Sequence, residues 1–235
     1  MFDSLLNTLN NNIIANGGKE MIIPDYFKEH YSNKSESVIR SWLWDVPGFR
    51  RWRVTRMDAG EKLQVLNSVA YPTFENDMPI MGIDLLWFGL KGKLVAILDF
   101  QPLVQDKDYF ERYFNDLQLL NKKYPEFSNA KNMNSYDVNK YFSPWVVFCR
   151  GDLSHKNTGL PLVFNSFIKS YLELHKRSTQ LPSKITYDEV KKLHLSYDIY
   201  NLERDPAHGL FKSYFGKDWA DSFINEFLFP FTSYG

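Results

Sequence analysis

The chain has 235 residues, enough for one large domain or two small ones with a substantial core, and we expect a single domain over residues 1–235. Its 28 basic and 28 acidic residues cancel, which excludes a global field that would draw the protein to nucleic acid or a membrane surface. The single cysteine, Cys149, excludes an intrachain disulfide framework, a cysteine-based zinc site and an iron–sulfur cluster of its own.

No part of the sequence has the pattern of a secretion signal or a membrane span. The amino terminus lacks a basic segment followed by an apolar one, and no apolar run approaches the roughly 18 residues that a span needs. Together with the lone cysteine, this favours a cytoplasmic protein. The aromatic content of 17% is high and suits a pocket for a large flat ligand, although aromatic residues also fill ordinary cores.

The first predicted element is a helix over residues 3–15. Its apolar side chains recur at helical spacing, Asp3 or Ser4 is the predicted N-cap, and Gly17-Gly18 ends the helix. A polar connection follows, and then a basic segment from Gly48 to Arg56.

The next part of the chain predicts a series of strands. They are joined by short connections, which favour antiparallel neighbours because a parallel crossover needs about a dozen residues or more. The connection at residues 89–93 is the clearest hairpin signal. The predicted strands cover residues 52–57, 63–71, 80–88 and 94–100.

Two of these strands carry a polar side chain on an otherwise apolar face. Period-two alternation places Asn67 on such a face of residues 63–71 and Asp84 on such a face of residues 80–88. If both faces lie on the same side of one sheet, Asn67 and Asp84 look into one cavity. A carboxyl group in so apolar a strand is costly unless it is protonated or paired. Asp84 is therefore predicted either to donate a proton to a ligand or to pair with an arginine or backbone groups.

Beyond Pro102 the pattern is mostly helical. Strands first and helices afterwards indicate an α+β fold, with helices packed on an antiparallel sheet. The predicted helices cover residues 109–124 and 160–176, a segment opened by a capping box at Thr186, a segment opened by an Asp205-Pro206 N-cap, and residues 219–229, with one strand at residues 143–150.

The common cofactor motifs are missing from the sequence. It contains no Gly-x-Gly-x-x-Gly after a strand, no phosphate-binding Gly-x-x-x-x-Gly-Lys loop, no His-Glu-x-x-His and no Cys-x-x-Cys pair. A Gly-x-Ser-x-Gly elbow is also missing, so the presence of Ser, His and Asp residues is the only feature that supports a hydrolase. The candidate functional groups of the sequence are therefore acidic and aromatic side chains rather than a cofactor motif.

Seven short blocks, in order along the chain, carry a family pattern. They are Trp42-Leu-Trp-Asp-Val-Pro-Gly-Phe-Arg-Arg-Trp-Arg-Val-Thr-Arg56, Asn67-Ser-Val-Ala-Tyr-Pro72, Gly82-Ile-Asp84, Leu98-Asp-Phe-Gln-Pro102, Phe148-Cys-Arg150, Glu203-Arg-Asp-Pro-Ala-His-Gly209 and Glu226-Phe-Leu-Phe229. Together these blocks resemble the ferredoxin-dependent bilin reductases, from the first predicted helix to the last. Several unrelated blocks in the right order make the resemblance specific.

The resemblance implies a three-layer α/β/α sandwich, with a central antiparallel β-sheet flanked by helices and the bilin held between the sheet and the carboxy-terminal helices. It also implies a monomer with no bound metal or organic cofactor, which takes single electrons from reduced ferredoxin as external donor. The bound tetrapyrrole would pass through radical states, with protons supplied by protein carboxyls.

The resemblance is greatest to the branch that reduces biliverdin IXα at the C15=C16 methine bridge to 15,16-dihydrobiliverdin, a two-electron step of phycoerythrobilin biosynthesis. A further expected partner is the next bilin reductase, which would receive this product. Two alternatives stay open: a four-electron reductase that makes phycoerythrobilin directly, and a carrier that binds the bilin without reducing it.

Four site residues follow from the resemblance. Asp84 matches the aspartate that protonates the substrate, and Asp205 matches a second aspartate that faces the bilin, although it is also a good helix N-cap. Arg150 matches an arginine that contacts a propionate, with a surface salt bridge as the alternative. Asn67 is expected to contact the substrate, at a position where the phycocyanobilin-forming branch has histidine. That branch also has a glutamate where residues 52–57 here carry no carboxylate, which argues against phycocyanobilin as product.

Two further groups have weaker assignments. Asp99 is a possible third carboxylate of the pocket, but a structural hydrogen-bonding role is favoured. Arg50, Arg51, Arg53 and Arg56 form the only dense basic cluster, a candidate surface for an acidic ferredoxin. Alternation would split these arginines between two faces, and a solvated basic strand edge is an equally good interpretation.

Overall fold

The centre of the molecule is an antiparallel β-sheet. The computed structural model describes residues 1–33, 35–128, 138–152, 159–204 and 207–230, with only the backbone of Val138 and Asn139. Within these residues, eight strands pair in the order β1-β3-β4-β5-β6-β7-β8, and β2 also pairs with β3. The strands are β1 (Lys19–Glu20), β2 (Glu29–Tyr31), β3 (Val38–Asp45), β4 (Phe49–Asp58), β5 (Gln64–Pro72), β6 (Ile80–Phe88), β7 (Lys93–Gln101) and β8 (Val147–Asp152).

Strands β3 to β7 form a meander in which each strand pairs with the next one along the chain. This order confirms the antiparallel pairing predicted from the short connections. The predicted hairpin at residues 89–93 is also confirmed, because a short 3₁₀ turn at Gly89–Lys91 and a left-handed Gly92 join β6 to β7. The predicted strand at residues 80–88 has the bounds of β6.

Helices cover both faces of the sheet. They are α1 (Asp3–Ala15), α2 (Asp25–Lys28), α3 (Lys107–Tyr113), α4 (Asn115–Lys123), α5 (Val138–Tyr141), α6 (Leu160–Ser178), α7 (Tyr187–Arg204), α8 (Ala207–Phe215), α9 (Lys217–Ser222) and a π-helix (Phe223–Leu228), with a second 3₁₀ turn at Pro125–Phe127.

Alternation along each strand sends side chains into one of two helical layers. On one face, α1, α3, α4 and α6 bury an apolar core against residues such as Trp52, Leu66 and Ile83. On the other face, α7, α8, α9 and the π-helix pack over residues such as Met57, Val65 and Val69. The predicted α+β, three-layer α/β/α sandwich is thus confirmed.

Several local predictions were wrong for identifiable reasons. The helix α1 begins after Phe2 without a side-chain cap, and the proposed cap Asp3 lies in its first turn. The helix predicted at residues 109–124 is two helices, because Phe114 leaves the helical conformation (φ −110°, ψ 2°) and buries its ring. The strand predicted from residue 143 begins at Val147, since the backbone N–H of Ser143 donates to the Asp99 carboxyl instead.

The helix predicted at residues 219–229 is split between α9 and the π-helix. The Thr186 half of the predicted capping box is confirmed, because the backbone N–H of Glu189 donates to the Thr186 hydroxyl over 3.4 Å. Among the helices that the structure describes, none is both long and apolar enough to cross a membrane.

We expect Gly48→Ala to destabilise the fold. Gly48 has a φ of 81°, which disfavours any residue with a Cβ, and an added Cβ would overlap the imidazole of His175. Gly60 is the matched control, because its φ is 60° and no atom lies within 4 Å of the corresponding Cβ position. Chemical denaturation should show a loss of about 2–4 kcal/mol for Gly48→Ala and about 1 kcal/mol for Gly60→Ala. Equal losses would contradict the packing part of this prediction.

Candidate active site

A cavity of about 360 Å³ lies between the sheet and the layer formed by α7, α8 and the π-helix. This volume is within the roughly 300–1,000 Å³ that is common for ligand sites. Its wall is mostly apolar, with few polar groups. The lining residues include Thr55, Met57, Val65, Val69, Leu86, Phe88, Ile97, Phe142, Tyr197, Leu210, Phe211, Leu228 and Phe229.

A chain of three polar side chains crosses the sheet floor of this cavity. The register of β5 and β6 sets Asn67 directly opposite Asp84, and the Asn67 Nδ2 donates to Asp84 Oδ1 over 3.1 Å. From β4, Arg53 Nη1 donates to Asn67 Oδ1 over 2.6 Å. All three side chains line the cavity. The expectation that Asn67 and Asp84 share one cavity is confirmed, whereas Arg53 was not foreseen as part of the site.

The residue on β4 that pairs with Asn67 is Thr55. It lines the cavity and is only 3% exposed, and its hydroxyl has no hydrogen-bond partner among the described residues. Thr55, Asn67 and Asp84 therefore form a row across three neighbouring strands. The middle member is an amide and the first is a hydroxyl, so the row contains one carboxylate.

A second polar pair lies beyond Asp84 along the sheet. The Tyr197 hydroxyl, from α7, donates to the side-chain oxygen of Gln101 on β7, and both residues line the cavity. Gly82 makes this possible, because a Cβ there would come within 2.7 Å of the Gln101 oxygen. The amide of Gln101 therefore lies over the backbone of Gly82, and its oxygen accepts the hydrogen bond from Tyr197.

Asp99 has the structural role that the sequence favoured. It is fully buried on β7, and its carboxyl accepts hydrogen bonds from the Ser143 backbone N–H and hydroxyl over 2.8 and 2.5 Å. Burial raises the pKa of Asp99, and the two bonds from Ser143 oppose part of that rise. Asp99 thus anchors the segment that leads into β8.

The other two predicted site residues have different positions. Arg150 is exposed on β8 opposite Val95, on the same face of the sheet as the cavity, and is not among the residues of its wall. Asp205 lies outside the described residues, so its predicted placement stays a prediction. Its neighbours in the chain, α7 and α8, both contribute to the cavity wall.

The basic segment offered two interpretations, a docking surface and a solvated strand edge, and the burial of its arginines fits neither. Arg53 and Arg56 are only 3% and 4% exposed. Arg51 donates to the Phe227 carbonyl oxygen of the π-helix, and the Arg50 side chain is 9% exposed. Helices that are distant in sequence cover these side chains, which alternation within β4 could not reveal.

Sequence reasoning also missed a buried ionic cluster beside the cavity. The Tyr71 hydroxyl, on β5, donates to Asp198 of α7 over 2.7 Å. Arg50 lies 3.8 Å from the same carboxylate and donates to His194 over 3.0 Å. Burial, aided by Arg50, lowers the pKa of His194 well below its usual range. The residues come from three separate parts of the chain, and no local motif marks them.

Among the described residues, no group of three or more His, Cys, Asp and Glu side chains is arranged to hold a metal ion. The polar groups of the cavity are one carboxyl, amides, hydroxyls and a guanidinium. They can bind a ligand through hydrogen bonds, transfer a proton and stabilise negative charge.

Comparisons with known proteins show which family this sequence matches. The sequence profile of the family described as ferredoxin-dependent bilin reductase matches residues 6–230. The 15,16-dihydrobiliverdin:ferredoxin oxidoreductase of Prochlorococcus marinus strain MIT 9211 is 56% identical over 230 residues, which are 98% of this chain and 97% of that protein. The protein of the same name from Synechococcus sp. strain CC9902 is 56% identical over 98% of both chains.

A solved structure shares the fold. The crystal structure of selenomethionine phytochromobilin synthase from tomato in complex with biliverdin matches with a TM-score of 0.86 and 22% sequence identity. The match covers 97% of this chain and 83% of that one.

We expect Asp198 to make stability depend on pH. Burial raises the pKa of Asp198 from 3.8 to about 6, so the folded protein keeps a proton that the unfolded chain has lost between these values. The resulting stabilisation is fully present below pH 3.8 and is lost as the pH rises through about 6. In Asp198→Asn this dependence disappears. The free energy of unfolding of wild type relative to the variant should fall by about 2 kcal/mol between about pH 4.5 and 7.

The matched control for this measurement is Asp188→Asn, on the exposed first turn of the same helix. It makes the same substitution at an exposed position, so it separates the effect of burial from that of replacing aspartate by asparagine. A constant difference for Asp198→Asn across the same pH range would show that Asp198 has the same proton affinity in both states.

Proposed function

The chain belongs to the ferredoxin-dependent bilin reductase family, and we propose that it reduces biliverdin IXα at the C15=C16 methine bridge to 15,16-dihydrobiliverdin. The proposal is supported by relatives that carry the name of this reaction at 54–56% identity over nearly their full length. The observation that carries it in this structure is the Asn67–Asp84 pair in the wall of a largely apolar cavity.

In the proposed reaction, two reduced ferredoxins each give one electron, and biliverdin gains two electrons and two protons. Each electron makes the bound tetrapyrrole more negative, and a proton then restores its charge. Asp84 is the proposed donor of one proton, because its carboxyl lies in the cavity wall where an apolar ring system would pack. Asp84 then regains a proton from solvent.

The remaining residues have supporting roles in this proposal. Asn67 orients Asp84 through its hydrogen bond and contacts the substrate from the cavity floor. Arg150, exposed beside the cavity on β8, is the proposed partner of a propionate, because a guanidinium binds a carboxylate in a bidentate manner. Asp205 is the proposed second acid, on the family resemblance alone. The protein would act as a monomer with residues 1–235 as one domain, and would pass its product to the next bilin reductase.

The row of Thr55, Asn67 and Asp84 favours this product over phycocyanobilin. The resemblance implies that the phycocyanobilin-forming branch carries histidine at the position of Asn67 and a glutamate where residues 52–57 of this chain have no carboxylate. Asp84 is the one carboxylate of this row, and the one carboxylate among the described residues that line the cavity. A four-electron product would require a second acid outside this row.

We expect Asp84→Asn to bind biliverdin but to form no product. The amide has the shape of the carboxyl and can still bond to Asn67, but it cannot supply a proton. Anaerobic turnover with reduced ferredoxin, followed by absorbance and chromatography, should show a loss of at least about 10²-fold in rate with little change in biliverdin affinity. Normal turnover by this variant would refute the role of Asp84.

Two controls complete this experiment. Asp152→Asn removes an exposed carboxylate at the end of β8 and should keep full activity. Wild-type protein should give 15,16-dihydrobiliverdin as the only product. Accumulation of phycoerythrobilin would identify a four-electron reductase, and an unchanged spectrum of bound biliverdin would identify a carrier.

A further inference from the structure

Arg53 is a buried cation in the wall of the cavity. It lies in the middle of β4 and is only 3% exposed, yet it lines the cavity together with Asn67 and Asp84. A full positive charge at such a position is costly to bury. The contacts of the Arg53 guanidinium therefore indicate the role of its charge.

These contacts leave the charge of Arg53 without a carboxylate in direct contact. Its Nη1 donates to the Asn67 amide oxygen, and its guanidinium lies 5.6 Å from the ring of Phe229. Its Nε is buried with no hydrogen-bond partner among the described residues, and within the same part of the chain Arg53 forms no ion pair. The neighbouring arginine on the same face, Arg51, adds further positive charge.

The two most buried arginines of β4, Arg53 and Arg56, differ in their charge partners. Arg56 is as buried as Arg53, at 4% exposure, but points to the opposite face. It lies 3.4 Å from the carboxylate of Asp3 and 3.3 Å from that of Asp58. One buried arginine of this strand is therefore neutralised by carboxylates, and the other faces the cavity with an amide as its hydrogen-bond partner.

We propose that Arg53 stabilises the negative charge that the bound bilin gains with each electron, and that it holds the Asn67 amide with its nitrogen towards Asp84. A fixed positive charge in a water-poor cavity acts most strongly on charge that develops during the reaction. Because Asn67 accepts from Arg53 through its oxygen, its nitrogen must face the carboxyl. Arg53 thus links electron arrival to the position of the proton donor. This inference rests on the proposed function.

The electron and proton balance of the step is simple. One electron leaves reduced ferredoxin and enters the tetrapyrrole, whose charge falls by one unit beside the guanidinium. A proton then moves from the Asp84 carboxyl to the ring system, which leaves a carboxylate within the same hydrogen-bonded chain. Arg53 itself gains or loses neither a proton nor an electron.

The test separates the effect of the positive charge at position 53 from the effect of the hydrogen bond to Asn67. Arg53→Gln removes the charge but keeps a side-chain amide that can bond to Asn67, whereas Arg53→Lys keeps the charge. For each variant, anaerobic spectroelectrochemical titration gives the reduction potential of bound biliverdin. Single turnover with reduced ferredoxin gives the rate, and an absorbance titration gives the affinity for oxidised biliverdin.

We expect Arg53→Gln to shift the potential of bound biliverdin to more negative values and to slow single turnover by roughly 10²-fold. The affinity for oxidised biliverdin should change much less, and Arg53→Lys should keep most of the wild-type potential. Arg56→Gln, the matched loss of a buried arginine from the opposite face, should lower stability but leave the potential unchanged. If Arg53→Gln does not fold, Arg53→Met, which keeps the apolar stem, replaces it.

Two results would overturn the inference. An unchanged potential in Arg53→Gln or Arg53→Met would show that the charge does not act on the reduced bilin. A loss of affinity for oxidised biliverdin that accounts for the whole rate effect would make Arg53 a propionate-binding residue instead. Failure of the wild-type protein to reduce biliverdin would refute the proposed function itself. This result is distinguishable from failure of the Arg53 inference, because it is obtained with the wild-type protein alone.

Discussion

The register between β5 and β6 brings the polar groups of the cavity together. Because side chains alternate along a strand, a slip of one residue would turn Asp84 into the apolar core of the opposite face, where Leu66 and Ile83 now lie. The hydrogen bond from Asn67 to Asp84 exists only in the observed register of β5 and β6. The bond from Arg53 to Asn67 likewise requires the observed register of β4 and β5. The candidate site is therefore a product of strand pairing more than of any loop.

The two layers of the sandwich differ in their chemistry. The layer under α1, α3, α4 and α6 is filled mainly by apolar side chains, and its buried Arg56 is paired with the carboxylates of Asp3 and Asp58. The opposite face carries buried polar groups such as Arg53, Asp99 and Gln101, with Asp198 reaching in from α7. Buried charges and an open cavity cost stability, so the apolar layer supports a face that is built for a ligand.

Alternation was sufficient to place Asn67 and Asp84 each on an apolar strand face, because that signal is local and repeats every two residues, but the register of β5 and β6 decided that the two faces are the same one. The same rule failed for the arginines of β4, since it gives the face of a side chain but not whether a helix covers that face. The contact of Arg50 with Asp198 joins residues far apart in the chain, and neither residue type nor spacing predicts such a pair.

The amino-acid sequence by itself indicated antiparallel pairing of neighbouring strands, the α+β class, the family and a polar Asp84 on an apolar strand face, because these follow from connection length, periodicity and ordered motifs. Only the tertiary structure decided that Arg53 belongs to the cavity while Arg56 does not, and that Asp99 anchors Ser143. The physical reason is that burial and charge pairing depend on which distant elements pack over a strand, and no local pattern records that choice.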